Sequence, residues 1–154
     1  MTVADLNCRQ VRTYLYSLLS ELEMRLGQFL LAQVSEQELL EMTSTDDSAG
    51  KYEPARKQFQ ADREKGVEAR FVDYFYLSDL INIIKKKNLC SKLGYCSKTD
   101  FGDSLGPLNE LRKTIAHPIR SVITGANTVD QLWDRIDHVE DALFRLRRSQ
   151  EGGA

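Results

Sequence analysis

The chain has 154 residues, 42% hydrophobic and 29% charged, and carries a formal net charge of −2. That length fits one domain spanning residues 1–154, and the composition supports a buried core beneath a charged, water-facing surface. It excludes a strongly basic, general nucleic-acid coat, and with no apolar run of about 18 residues a membrane-spanning helix is excluded as well.

The first residues, MTVADLNCRQ, lack the apolar stretch of a secretory signal. Three cysteines (Cys8, Cys90 and Cys96) make an odd count without a framework pattern, which points to reduced thiols and a cytoplasmic location. Thr2 followed by Asp5 reads as a helix start. Val11, Leu15, Leu18, Leu22, Leu26 and Phe29 then recur at three- and four-residue steps, the stripe of a long amphipathic helix. Ser35 with Glu38 three places on is a capping-box pattern, opening a short second helix, or a kinked continuation of the first, to Met42. The polar run Thr43–Lys51 reads as a loop, Pro54 as the first turn of a surface helix, and Gly66 as its end.

Phe71, Phe75, Ser78 and Asn82 share one helical face, and Tyr74, Leu77, Leu80, Ile81 and Ile84 form a broad apolar band beside it. This predicts a central helix. Cys90–Pro107, rich in Gly, Ser and Asp, reads as a loop or at most a broken turn. A helix from Leu108 follows. Thr128 with Gln131 caps a last one, striped by Leu132, Ile136, Val139, Leu143 and Leu146. The tail from about residue 149 is expected to fray. No segment alternates as a strand does. The prediction is an all-α, up-and-down bundle of roughly four or five helices.

Charge is unevenly spread. Between Lys85 and Arg120 there are eight basic residues and three acids, so this window is +5 and the remainder −7. Lys85, Lys86, Lys87 and Lys92, with Lys113, are therefore the expected contacts for an anion such as RNA phosphate.

Inside that window lies LNELRKTIAHP, Leu108 to Pro118. On a helix at about 100° per residue, Leu108, Leu111 and Ile115 face the core and Arg112 falls at the flank of the apolar face. His117, five residues later, does not stack on Arg112. Pro118 biases His117 away from helical geometry, so a helix ending at Ala116 leaves the imidazole at its tip, near a groove that Arg112 borders. Separately, such a histidine is an ordinary helix cap and such an arginine an ordinary snorkelling side chain.

Taken together, the stretch resembles the signature of the HEPN superfamily of small helical domains, an Arg, usually a polar residue next, and a His four to six positions after the Arg, late in an all-α chain. Arg112 and His117 match those two positions. The resemblance implies metal-independent RNA cleavage with these two as catalytic residues, and no cofactor or metal. Lys113 stands where active members carry Asn, Asp or His; a charged lysine cannot accept a hydrogen bond.

The chemistry sets its own requirement. When an RNA 2′-OH attacks the adjacent phosphate, a base removes one proton, an acid delivers another, and a cation stabilises the charge that develops. Histidine suits both proton roles and arginine suits phosphate. One motif supplies one histidine, so the reaction calls for two chains related by a twofold axis.

Other constellations are weaker. Cys90 and Cys96 lack the partners of a zinc site, and Asp134, His138 and Asp141 read as a surface charge pattern. Trp133 and Tyr95 are aromatic side chains that could stack on bases, although such residues usually belong to the core. Two functions are therefore expected: a homodimeric endoribonuclease of toxin or defence type, or a non-catalytic HEPN-like module. The module would bind RNA, a cognate antitoxin or another protein, or serve only to dimerise.

Overall fold

A computed structural model describes residues 8–45, 49–117, 120–123 and 128–151. Six α-helices are found among the described residues: α1 (Arg9–Gln33), α2 (Glu36–Thr45), α3 (Ala49–Glu64), α4 (Leu77–Lys86), α5 (Lys98–Ala116) and α6 (Val129–Glu151). Two 3-10 turns, Phe71–Tyr74 and Cys90–Leu93, precede α4 and α5. The predicted helix start at Thr2 lies outside the described residues.

The caps explain several of these boundaries. Glu38 N donates to Ser35 Oγ at 3.2 Å. Thr128 and Gln131 bond reciprocally, side chain to backbone, at 3.0 and 3.2 Å, as their spacing predicts. Gly66, at φ +75°, follows the end of α3 in the left-handed conformation that glycine adopts without strain.

Four expectations are corrected. The helices number six rather than four or five, because α2 is a helix of its own and not a continuation of α1; the Gly-rich stretch before Pro107 is also helical, as the first half of α5. α5 starts at Lys98, where Ser97 Oγ accepts from Asp100 N at 3.0 Å and the Asp100 carboxylate accepts from Cys96 N at 2.9 Å. Pro107 sits inside α5 and cannot donate to Asp103. The helix persists because Phe101, Leu105, Leu108, Leu111 and Ile115 form one continuous buried stripe across it. Pro54 likewise lies inside α3 rather than in its first turn. The central helix begins only at Leu77, where the Asp79 carboxylate accepts from Tyr76 N at 3.1 Å; Phe71–Tyr74 is a separate turn. The last helix runs to Glu151 instead of fraying from 149.

α1 and α5 pack on each other, and α4 and α6 each pack on both. The directions are not simply alternating. Arg12 reaches the end of α5 and Glu23 reaches Arg112, so α1 and α5 are antiparallel. Glu23 also meets Leu77, and Gln33 meets Lys92, so α1 and α4 run the same way. Arg147 and Gln150 approach Glu21 and Arg25 in the same order, so α6 runs with α1. α5 alone opposes the other three. The return from the end of α1 to the start of α4 is made by α2 and α3, which pack on each other and on the Phe71–Tyr74 turn.

The predicted stripes do face the core. Leu15, Leu22, Leu26 and Phe29 of α1 are buried and Val11 and Leu18 are partly buried against them, and Leu132, Ile136, Val139, Leu143 and Leu146 of α6 are buried. Each such side chain contributes about 1.5–3 kcal/mol. A second cluster of rings (Tyr52, Phe59, Phe71, Tyr74 and Phe75) joins α3 to the turn before α4. No described helix is long and apolar enough to cross a membrane.

The thiols divide by burial. Cys90 is buried and its thiol pKa is pushed up by desolvation, whereas Cys96 is exposed. In the folded protein at neutral pH, Cys96 should react with a thiol reagent within minutes and Cys90 only after denaturant is added. Mass spectrometry of timed alkylation checks this; early labelling of Cys90 would contradict the burial.

Candidate functional site

Arg112 is held on two sides. Its Nε donates to Glu23 Oε1, and its guanidinium lies 4.9 Å from the centre of the Tyr76 ring. Glu23 Oε1 also accepts from Leu77 N at 3.2 Å, which ties the pair to the first turn of α4. Both charged side chains are partly covered, Arg112 at 29% exposure and Glu23 at 21%. Among the described residues, Arg112 makes no other hydrogen bond, so its two terminal nitrogens keep their donors. The side chain thus has a fixed plane and an open edge, the geometry in which arginine engages a phosphate with two parallel bonds.

His117 caps α5, as the Pro118 constraint predicts. Its backbone is extended (φ −101°, ψ 105°), and its N–H donates to Thr114 O at 3.3 Å. The side chain is exposed. The imidazole has no hydrogen-bond partner among the described residues.

What fixes this helix end is Arg12, in the first turns of α1. Its Nη2 donates to the carbonyl oxygens of Thr114 at 3.0 Å, Ile115 at 2.9 Å and His117 at 2.7 Å. Its Nη1 donates to Arg120 O at 2.5 Å. Carbonyls at a helix end lack their usual partners four residues on; Thr114 O also accepts from His117 N and His117 O from Arg120 N, and one planar cation gathers all four. Arg12 is therefore a positioning residue for the His117 backbone.

Arg12, Glu23 and Tyr76 were not legible from the motif alone. One signal was available: Arg12 and Glu23 are eleven residues apart, three helical turns, so a polar edge runs along α1 beside its apolar stripe.

Of the anticipated lysines, Lys85, Lys86, Lys87 and Lys92 do not join this site, and Lys113 stands beside Arg112 on the same helix. Lys113 is exposed and pairs with Glu110 at 2.8 Å, which lowers the Glu110 carboxyl pKa. Lys85 lies across the α5 backbone at Gly102, where a Cβ would come 2.8 Å from its Nζ. Ten residues of α5 separate Gly102 from Arg112, about 15 Å along the helix. Lys87 pairs with Glu38, and Lys92 Nζ donates to Gln33 Oε1 at 2.5 Å. Lys86, next to them, is exposed. The +5 window of the sequence is thus divided between two places in the fold.

Tyr95 is buried and packs edge-on against Phe101, while Trp133 is half exposed. Asp141 is taken by Arg145 at 2.6 Å, away from any ligand role with His138. Among the described residues no three His, Cys, Asp or Glu side chains converge as a metal site would require. No protein-family model matches the chain, and neither a curated protein nor a solved structure matches it.

Proposed function

We propose that this chain is a HEPN-like endoribonuclease that cleaves RNA without metal as a homodimer, with Arg112 and His117 at the composite site. The observation that carries the reading is the pairing of a plane-fixed, open-edged arginine with an exposed histidine at the end of the same helix. Glu23 and Tyr76 hold the Arg112 plane, so little ordering is needed when phosphate arrives. The terminal nitrogens take two phosphate oxygens and stabilise the charge that builds as the 2′-OH attacks. One His117 removes the 2′-OH proton, and His117 of the second copy protonates the departing 5′-oxygen. The products are a 2′,3′-cyclic phosphate and a 5′-hydroxyl. Lys113, outside this pair, offers a further point charge to the backbone.

The non-catalytic reading has its own support. Glu23 partly neutralises Arg112, and Lys113 replaces a side chain able to accept a hydrogen bond. In that case the same edge of Arg112 binds RNA or an acidic protein partner without turnover.

Purified protein should be incubated with a mixed RNA pool in chelator-containing buffer. On the nuclease reading, wild type releases cyclic-phosphate ends, and His117→Ala and Arg112→Ala each reduce the rate by about a hundredfold or more. Sedimentation should show a dimer. Equal, slow degradation by wild type and His117→Ala would sink the nuclease reading. Loss of RNA affinity in Arg112→Ala with no cleavage by any form would establish the binding module instead.

A further inference from the structure

Beside Arg112 lies a second feature, of which the mechanism uses only one wall, Tyr76. A cleft of about 450 Å³ opens between α3 and the start of α4, walled by Tyr52, Tyr74 and Tyr76 and edged by Lys51, Ser78 and Asp79. Tyr76 is common to the cleft and to the Arg112 contact, and its side chain is largely solvent-accessible at 60%. Its ring starts from a fixed root. Tyr76 N donates to the Asp79 carboxylate at 3.1 Å, and Tyr76 O accepts from Asp79 N at 2.8 Å and Leu80 N at 3.1 Å.

The other walls are fixed as well. Tyr52 is buried and meets Phe75, and Tyr74 donates its hydroxyl to Asp62 at 2.8 Å. Lys51 Nζ lies 2.9 Å from Asp79 Oδ1 and 5.3 Å from the Tyr52 ring centre. The Ser78 hydroxyl has no hydrogen-bond partner among the described residues. A partly exposed aromatic ring, a concave space large enough for a small planar group, and a few polar atoms at the rim make a pocket of the ordinary ligand-binding kind.

We infer that this cleft binds a nucleobase, stacked on Tyr76, of the nucleotide whose phosphate lies on Arg112. The inference rests on the RNA reading above and narrows it to single-stranded RNA, because a base reaches an aromatic wall only when it is free of its own stack. The spacing fits. A guanidinium 4.9 Å from the ring centre and a base stacked on that ring are neighbours on the scale of one nucleotide. The Ser78 hydroxyl both donates and accepts, and the Lys51 ammonium donates, so both can meet the polar edge of a base. Other adjoining aromatic residues are turned away: Phe59 and Phe71 are core.

The test separates the base from the phosphate. Calorimetric titration of the full chain should compare a nucleoside 3′-monophosphate with ribose phosphate, which has no base. Wild type should bind the nucleotide about tenfold or more tightly than the sugar phosphate, the scale of one base–aromatic stack. Tyr76→Phe should keep that preference and Tyr76→Leu should lose it. Circular dichroism of each variant verifies the fold, and binding of the base-free sugar phosphate to Tyr76→Leu verifies that Arg112 is still in place. Equal affinity of wild type for both ligands overturns the cleft assignment, even if RNA cleavage through His117 is intact. A base preference that depends on Tyr76 supports the assignment, even if no cleavage is found. A preference that survives in Tyr76→Leu also overturns it.

Discussion

Replacing Leu22 by aspartate is expected to leave the chain unfolded. Leu22 has 0% exposure and sits mid-way along α1, the helix that packs on α4, α5 and α6. Losing the leucine side chain from such a position costs about 2–5 kcal/mol. The carboxylate adds more, whether it is buried charged or takes up a proton. A domain of this size has a total stability of about 5–15 kcal/mol, so little remains. The expected result is a far-UV spectrum without helical minima, or protein recovered only as aggregate. Ser17→Asp, on the exposed face of the same helix, changes stability by no more than about 0.5 kcal/mol and serves as the control. A cooperative, near-native melt of Leu22→Asp would refute the assignment of this stripe to the core.

The second large effect concerns Arg12. Arg12→Ala removes donors from four carbonyl groups at and beyond the end of α5 in one step. Hydrogen bonds to a charged donor contribute about 1.5–3 kcal/mol each, but here one half-exposed guanidinium serves all four. A total of about 2–3 kcal/mol is expected, which lowers Tm by roughly 5–10 °C in a chain of this length. The backbone that presents His117 loosens at the same time. RNA cleavage should therefore fall at temperatures well below the new melting point. Arg12→Lys should recover little, because an ammonium cannot span the same set of oxygens. A melting curve superimposable on that of wild type would show the clamp to be energetically idle.

How much of the fold is legible in the sequence depends on the kind of interaction. The apolar stripes of α1 and α6 are plain, since a 3.6-residue period kept over several turns marks a helix with one buried face. The capping box at Thr128 is equally plain, being local in sequence, and at Ser35 one half of the pattern forms while the Glu38 carboxylate goes to Lys87. The first half of α5 is not. Gly102, Gly106 and Pro107 mark a loop by local chemistry, and only the tertiary burial of Phe101 and Leu105 overrides them. Yet those two residues continue the step of Leu108, Leu111 and Ile115 backward by seven places, a pattern that composition masks. At the candidate site, the helix end at Ala116 follows from Pro118. The partners of Arg112 and His117 come from α1 and α4, more than 30 residues away along the chain, and no local pattern announces which side chain will arrive there. Net charge misleads for a related reason: Lys85–Lys92 and Arg112 are near in sequence but are carried apart along α5.

The common direction of α1, α4 and α6 has an electrostatic consequence. Each helix carries a macrodipole worth about half an elementary charge at either end, positive at the amino end. Among the four helices that pack together as α1, α4, α5 and α6, three such dipoles aligned against one leave a net positive pole on the side where α5 terminates and His117 stands, and a net negative pole on the opposite side. The basic side chains Lys85 and Lys86 stand in the last turn of α4, with Lys87 at its cap, and Arg148 stands in the last turn of α6. They stand at the negative pole, where cations offset the carbonyl ends. The pole facing His117 draws its positive potential from the backbone as well as from Arg12, and the backbone part is one that a count of lysines and arginines does not register.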